Sequence, residues 1–173
     1  GTDEGIYIYA YATETFTDSD LTTPNNVRIT SIVNHILQDK DGNLWFSTNG
    51  QGLFRYNLSK NYLEQYEFTS AFGIVASTMA DSDHSQAFAM LEDSEQTLWL
   101  GTWECGLQKI DKYTRQTTTY LHPTDGKGVT HIHSLMEYAP HQLLIGSDDG
   151  LLLFNTLTEE YKLFTENETV PNS

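Results

Sequence analysis

Short apolar segments alternate with polar turns along the chain, and this pattern predicts β-strands. In the stretch from Asp39 to Tyr56, the apolar segments 44–48 and 53–56 are separated by a polar turn that ends on Gly52. Apolar runs of this length between turn-forming residues are typical of strands. The Asp-Gly pair at 41–42 favours a tight hairpin before the first of these segments. The pattern therefore predicts a series of antiparallel hairpins.

The same unit occurs three times, in residues 39–56, 93–110 and 138–154. Its first residue precedes the aromatic or aliphatic position at 45, 99 or 144 by six residues in every copy. The repeat glycines lie at intervals of 47, 54 and 44 residues, at positions 5, 52, 106 and 150. A period of about 40 to 50 residues made of short strands is typical of the blades of a β-propeller.

The repeat predicts an all-β fold, a β-propeller fragment of about three and a half four-stranded blades of a seven-bladed propeller. The strands of the first complete blade are expected at 32–38, 44–48, 53–56 and 63–68. A partial blade with only its last two strands is expected at 1–20, and the complete blades at 21–69, 70–121 and 122–173. All four segments are expected to form one propeller domain.

Several repeated residues are expected to serve the fold. Trp45 and Trp99 supply large apolar side chains, which we expect between neighbouring blade sheets. Small residues at 47–48, 101–102 and 146–147 would let adjacent blades approach closely. Asp39 and Asp93 open the first turn of their units. The glycines that end the second turn, where positive φ is needed, are Gly52, Gly106 and Gly150.

Composition narrows the range of partners. The chain has 9 Lys and Arg residues against 24 Asp and Glu, a formal net charge of −15. Such a surface repels phosphate backbones and anionic membrane faces, so no nucleic-acid partner is expected. No apolar run approaches the roughly 20 residues that a membrane span requires, and no signal peptide is expected at Gly1. The single cysteine, Cys105, cannot form an internal disulfide. No cofactor is expected.

At these residues the chain resembles the two-component regulator propeller repeat. That repeat reads approximately Asp, two residues, Gly, one residue, Leu-Trp, a hydrophobic residue, Gly-Thr, a short turn, then Gly-Leu and an aromatic. Residues 39–56 match closely and residues 93–110 match well, whereas the third copy has Tyr138 for the aspartate and Leu144 for the tryptophan.

The resemblance implies a function. Such repeats typically form the extracytoplasmic, periplasmic sensor region of hybrid two-component histidine kinases in gut Bacteroidetes, including Bacteroides. Members of that group sense oligosaccharides and switch on genes for glycan degradation. The kinase and the membrane helix lie outside these 173 residues, so this chain would contact a membrane only through other parts of a parent protein.

Seven blades of this length need about 330 residues, so the chain supplies roughly half of a propeller. A half propeller leaves two blade faces uncovered, as a repeat array does without its caps. We expect either other propeller blades or a second copy of the chain to cover those faces.

A ligand is expected at the turns between the second and third strands, near the propeller axis. The candidate residues are those of the three turns and one axis-lining position: Asn49, Gln51, Trp103, Glu104, Asp148, Asp149 and His133. An exposed Trp103 could stack on a sugar ring while amides and carboxylates bind hydroxyl groups. The alternatives are that Trp103 folds onto the neighbouring blade and that the turns use Asn and Asp for backbone reasons.

Histidines raise further possibilities. His131 and His133 are two residues apart and could face one way, but no third ligand is evident, so no metal is expected. Asn34, Phe88 and His133 occupy equivalent repeat positions whose chemistry varies, which suits a position that lines the axis. His35 is expected to be an ordinary surface residue. An enzyme remains an alternative, with His133 and Glu104 as its candidate acid–base pair, and so does a pure interaction scaffold.

Overall fold

The computed structural model describes residues 1–66, 86–103, 105–121, 129 and 131–164. All secondary-structure elements within these residues are β-strands, which confirms the all-β prediction. The strands are β1 (Tyr7–Ala10), β2 (Thr15–Asp18), β3 (Val33–Gln38), β4 (Leu44–Thr48), β5 (Leu53–Asn57), β6 (Tyr62–Tyr66), β7 (Ala87–Glu92), β8 (Leu98–Thr102), β9 (Leu107–Ile110), β10 (Thr117–Tyr120), β11 (Ile132–Ala139), β12 (Gln142–Ser147), β13 (Gly150–Asn155) and β14 (Tyr161–Phe164).

The strands form four antiparallel sheets, numbered here in chain order. The first sheet has the two strands β1 and β2, and the second, third and fourth sheets are the meanders β3–β6, β7–β10 and β11–β14. Strand order follows chain order in each sheet, because each tight turn pairs neighbouring strands. In the first complete blade, β3 to β6 agree with the predicted strands to within two residues, and positions 67 and 68 of the last predicted strand lie outside the described residues. The predicted limits of the blades in the chain stay predictions.

The sheets stack side by side around their first strands. β7 packs against β3 on one side and against β11 on the other. Between the second and third sheets lies an apolar core that includes Trp45, Leu53 and Leu98, and a matching core with Trp99 and Ile132 separates the third and fourth sheets. Trp45 and Trp99 are 0% and 1% exposed. Burying a side chain of this size contributes much of the stability of each junction.

Two repeated residues explain how closely the sheets and turns pack. A Cβ atom on Gly101 would lie 2.4 Å from Cγ2 of Ile132 in the next sheet, so only glycine permits this approach. Gly106 has φ of +68°, and a Cβ there would lie 2.4 Å from the carbonyl oxygen of Tyr120. The conformation and the close approach both require glycine at the end of this turn.

Carboxylates at the end of the first strands tie the third sheet to the second and the fourth sheet to the third. Glu92 Oε2 accepts a hydrogen bond from the backbone N–H of Lys40 at 2.7 Å. Glu137, at the equivalent position of the next sheet, accepts from the backbone N–H of Ser94 at 2.8 Å and from its hydroxyl at 2.6 Å. The repeat thus contains a polar link between sheets that complements the apolar core.

Candidate functional site

The first strands of the three complete sheets share a β-bulge near the end at which they begin. In β3 the register passes from Val33 to His35 and leaves Asn34 as the extra residue. Phe88 in β7 and His133 in β11 are the extra residues of the same bulge. Bulges re-aim a side chain and are common beside binding sites. The equivalence that the sequence indicated for these three positions therefore corresponds to a shared backbone feature.

Two of these bulge residues belong to a group of five side chains, which we call the loop-face cluster: Phe88, Trp103, His131, His133 and Asp148. It lies where the β8–β9 and β12–β13 turns meet the beginnings of β7 and β11. The ring centroids of Phe88 and Trp103 are 5.4 Å apart, and those of Phe88 and His133 are 6.0 Å apart. The cluster thus joins the third and fourth sheets.

Asp148 fixes both imidazoles of the cluster. Its Oδ2 lies 2.6 Å from Nδ1 of His131, and its Oδ1 lies 2.7 Å from Nε2 of His133. These two hydrogen bonds hold the pKa of the Asp148 carboxyl below its usual range. Each imidazole uses one nitrogen for Asp148. The other nitrogens, His131 Nε2 and His133 Nδ1, form no hydrogen bond with the described residues.

Trp103 lies on the neighbouring sheet, as the alternative interpretation of the sequence holds. Its ring stacks on His131 with a centroid separation of 3.5 Å and an interplanar angle of 22°. Its backbone N–H donates to the carbonyl oxygen of Gln86 at 2.9 Å. The side chain is half-buried. One face of the indole is therefore occupied by His131, and a ligand could contact only the remaining part of the ring.

The other candidate residues are not part of this cluster. Both amide atoms of Gln51 bond to the segment that precedes β3, since Oε1 accepts from the N–H groups of Thr30 and Ser31, and Nε2 donates to the carbonyl oxygen of Arg28. The backbone of Asn49 pairs with Gln86 in an isolated bridge.

Two further candidates complete the set. Asp149 is exposed beside Asp148, and Glu104 lies outside the described residues. The suggested acid–base pair of His133 with Glu104 therefore has no described geometry, and the described partner of His133 is Asp148.

The repeat aspartates each accept an indole hydrogen bond. Trp45 Nε1 donates to Asp39 Oδ2 and Trp99 Nε1 donates to Asp93 Oδ2, both at 2.8 Å. Burial alone would raise the pKa of Asp39, but hydrogen bonds from Trp45 and Asn43 lower it below the usual range. The hydrogen bonds show why the aspartate and tryptophan recur six residues apart.

A buried polar network between the second and third sheets was not anticipated from the sequence. Lys112 Nζ donates to Glu92 Oε1 at 2.7 Å and to Asp41 Oδ2 at 3.1 Å, with only 4% of its side chain exposed. Burial alone would lower the pKa of Lys112, but these hydrogen bonds raise it. Nearby, the buried carboxylate of Glu64 pairs with both Arg55 and Arg115.

His35 also differs from expectation. Its Nδ1 accepts a hydrogen bond from the backbone N–H of Met90 in the next sheet at 3.1 Å, and burial lowers the pKa of the imidazole. The interpretation of His35 as a surface residue is therefore wrong. The only signal in the sequence was its place one residue after the bulge position.

The structure contains no group of three His, Cys, Asp or Glu side chains arranged to hold a metal ion within the described residues. A search of the same residues found no helix that is both long enough and apolar enough to cross a membrane.

The fold and the repeats define a fragment of a β-propeller. A family model described as the two-component regulator propeller matches residues 25–50 and 81–104. The matched segments overlap the copies at 39–56 and 93–110, which confirms their resemblance to the two-component regulator propeller repeat.

A curated relative is Histidine kinase P4 of Formosa agariphila, which is 23% identical over 211 residues. The match covers 94% of this chain and 15% of the relative, so the chain spans a small part of that protein's length.

Solved structures share the fold. The extracellular domain of a protein from B. thetaiotaomicron described as a hybrid two-component system (BT3049) has a TM-score of 0.69 and 21% identity, with 93% of this chain and 20% of that chain covered. The extracellular domain of a second B. thetaiotaomicron protein, described as a one-component system (BT4673), has a TM-score of 0.71 and 17% identity, with 94% and 23% covered.

A streptogramin B lyase is also similar, at a TM-score of 0.61 and 18% identity, with 95% of this chain and 50% of that chain covered. At these identities each likeness shows the fold alone.

Proposed function

We propose that this chain is part of the extracytoplasmic sensor region of a hybrid two-component histidine kinase, and that its loop-face cluster binds an oligosaccharide. The regulator repeats and the histidine kinase relative support the first part. Solved neighbours that are extracellular domains agree with an extracytoplasmic, periplasmic location. The observation that carries the second part is the arrangement of Trp103, His131, His133 and Asp148 in one group.

The chemistry of the cluster suits a polyhydroxylated ligand. Because His131 Nδ1 and His133 Nε2 donate to Asp148, the other nitrogen of each neutral imidazole, His131 Nε2 or His133 Nδ1, can accept a hydrogen bond from a hydroxyl group. Asp148 orients both rings, so these nitrogens are positioned before a ligand arrives, which lowers the entropic cost of binding. Phe88 and the uncovered part of Trp103 supply apolar surface for the C–H face of a sugar ring.

The position of the cluster suggests how binding could be passed on. Trp103 belongs to the third sheet, whereas His131 and Asp148 belong to the fourth, so a ligand that contacts both would strengthen that junction. A ligand shifts a conformational equilibrium by its differential affinity for the two states. We propose that such a shift reaches the kinase in the parent protein and regulates genes for glycan use.

Calorimetric titration of the 173-residue chain against plant and host oligosaccharides tests the proposal. We expect saturable heat with one class of sugar. Trp103→Ala and Asp148→Asn should each weaken that binding by roughly tenfold or more, the effect of losing one well-formed contact of about 1.4 kcal/mol. Tyr113→Ala is the matched control, because Tyr113 is an aromatic residue 80% exposed in the β9–β10 turn.

The outcomes separate the alternatives. Equal binding by the Trp103→Ala variant and the unaltered chain would place the ligand elsewhere. If a folded sample gave no heat of binding with any oligosaccharide of the panel, a scaffold role would be favoured. Turnover of a substrate that is lost in His133→Ala would favour a lyase-type enzyme instead.

A further inference from the structure

Two adjoining clefts lie where the outer strand of the second sheet meets the β9–β10 turn of the third. Their volumes are about 490 and 390 Å³, and Tyr62, Glu64 and Arg115 line both of them. Arg55 and Lys60 line the smaller cleft as well. None of these residues belongs to the loop-face cluster, so the clefts form a separate feature.

The charge of the clefts is opposite to that of the chain. Their lining contains three cationic side chains, Arg55, Lys60 and Arg115, and a single carboxylate, Glu64. The formal net charge of the whole chain is −15. Glu64 is 4% exposed and already pairs with both arginines, so its charge is neutralised within the protein. The lining therefore carries an excess of positive charge, since three cations face a single carboxylate.

Two of the cations have N–H donors that form no hydrogen bond with the described residues. Arg115 has 54% of its side chain exposed, and its described contacts are the Glu64 carboxylate and the ring of Tyr66, 5.7 Å from the guanidinium carbon. A guanidinium offers five N–H donors, so most of them face the cleft or solvent. Lys60 is exposed, and its ammonium group forms no ion pair with the described residues.

A purely structural role accounts for Arg55 but not for the other two cations. Arg55 donates to the carbonyl oxygen of Lys112 at 2.9 Å and lies over the rings of Trp45 and Tyr66 at 5.7 and 5.4 Å. These contacts explain why a half-buried arginine lies at the junction. These contacts do not involve Lys60 or the exposed part of the Arg115 side chain.

From this geometry we propose that the clefts bind a compact oxyanion, a carboxylate, sulfate or phosphate group. Arg115 binds it through paired N–H donors and Lys60 supplies a second charge. Tyr62, which is 39% exposed, contacts the rest of the ligand. The negative charge of the remaining surface opposes binding only weakly at about 0.15 M salt, where the Debye length is about 8 Å.

The test is a titration of the 173-residue chain at about 0.15 M salt. Binding is measured from the changes in backbone amide chemical shifts. The probes are sulfate, phosphate, galacturonate and, as the neutral counterpart, galactose. We expect at least one anion to produce saturable shifts around Tyr62 and Arg115, and galactose to produce none there. Sulfate or phosphate binding alone would indicate an inorganic anion, and galacturonate binding alone an acidic sugar.

Three variants sharpen the result. Lys60→Gln and Arg115→Gln should each weaken anion binding by about fivefold or more, the effect of one unit charge at about 4 Å in water. Lys109→Gln removes the same charge from an exposed position on β9 outside the clefts and should bind as the unaltered chain does. Because Lys60 makes no ion pair with the described residues, its variant tests the site without disturbing Glu64.

Absence of saturable shifts with all three anions would overturn the proposal. Equal losses in Lys60→Gln and Lys109→Gln would overturn it too, because they would show a general effect of net charge.

Discussion

Asp39 and Trp45 are joined by a hydrogen bond in which the indole Nε1 donates to Oδ2 at 2.8 Å. The tryptophan is completely buried between two sheets, and the aspartate is 4% exposed in the turn that precedes its strand. A buried indole N–H needs a partner, and a buried carboxylate needs donors, so each residue satisfies the other. The same pair recurs as Asp93 and Trp99.

The fourth sheet shows that the two positions depend on each other. There the equivalent residues are Tyr138 and Leu144, so both members of the pair are replaced. The side chain of Leu144 has no N–H group, and a carboxylate at position 138 would have no indole partner. The departure of this copy from the repeat thus follows from a single lost interaction.

Removing either member of the pair should destabilise the chain. We expect Asp39→Ala to lower the free energy of unfolding by about 1–3 kcal/mol, because it leaves the indole N–H of Trp45 buried without an acceptor. In urea denaturation, Asp39→Ala and Trp45→Phe should be non-additive by about 1 kcal/mol. Asp20→Ala, at an exposed position, should change stability by less than about 0.5 kcal/mol. Additive effects of the two substitutions would show that the hydrogen bond contributes nothing.

Lys112 should be more important than any exposed lysine. Lys112→Met leaves Glu92, whose side chain is 5% exposed, without its cation. Breaking a buried ion pair by removing one partner costs about 3–5 kcal/mol of stability. We expect a loss of about 3 kcal/mol, the lower end of this range, because the other contacts of the turn remain. Lys109→Met, at an exposed position in the same sheet, should cost less than about 1 kcal/mol. Similar unfolding midpoints in urea for the two variants would contradict this prediction.

Much of the fold could be predicted because the repeat supplies several copies of each local signal. Trp45 and Trp99 stand at the same offset from an aspartate, and Gly52, Gly106 and Gly150 mark equivalent turns. Each copy constrains the interpretation of the others, so strand positions were correct to within one or two residues. The third copy is harder to recognise because the paired replacement at 138 and 144 removes its strongest signal.

The site was less predictable because it depends on contacts between copies. Trp103 and Asp148 were recognised as turn residues, but nothing local indicates that His131 stacks on one and bonds to the other. Lys112 and Glu64 were missed for a similar reason. Each resembles an ordinary charged surface residue in the sequence, and only the packing of two sheets buries them.

The first sheet presents an aromatic surface that we propose is covered by further propeller blades or by a second copy. Tyr9 contacts both Tyr11 and Phe16, with ring centroids 4.9 Å apart in each pair. Tyr9, Tyr11 and Phe16 are 38%, 88% and 71% exposed. Clustered apolar surface of this kind marks an interface.

If the chain associates with itself, light scattering at micromolar concentration should give twice the 19.6 kDa chain mass. Phe16→Ser should then restore the monomer, whereas Tyr113→Ser, at an aromatic position 80% exposed in the third sheet, should not. A monomeric mass for the unaltered chain would exclude the second copy and leave further blades as the covering partner.

His35 should make stability depend on pH. Its Nδ1 must be unprotonated to accept the hydrogen bond from Met90, and burial lowers the pKa of the imidazole below its value of about 6.5 in an unfolded chain. The unfolded state therefore binds the proton more readily than the folded state. The contribution of His35 to stability is complete above about pH 6.5 and is lost as the pH falls through the lower pKa of the folded protein.

Urea denaturation at intervals between pH 7.5 and 5 measures this effect. His35→Ala should reduce the slope of stability against pH below about 6.5, because alanine does not titrate. Ala89 occupies the equivalent position in the third sheet, so the backbone there accommodates alanine. His141→Ala keeps His35, so the part of the slope that arises from His35 should remain in this variant. An unchanged slope in His35→Ala would show that other groups cause the pH dependence.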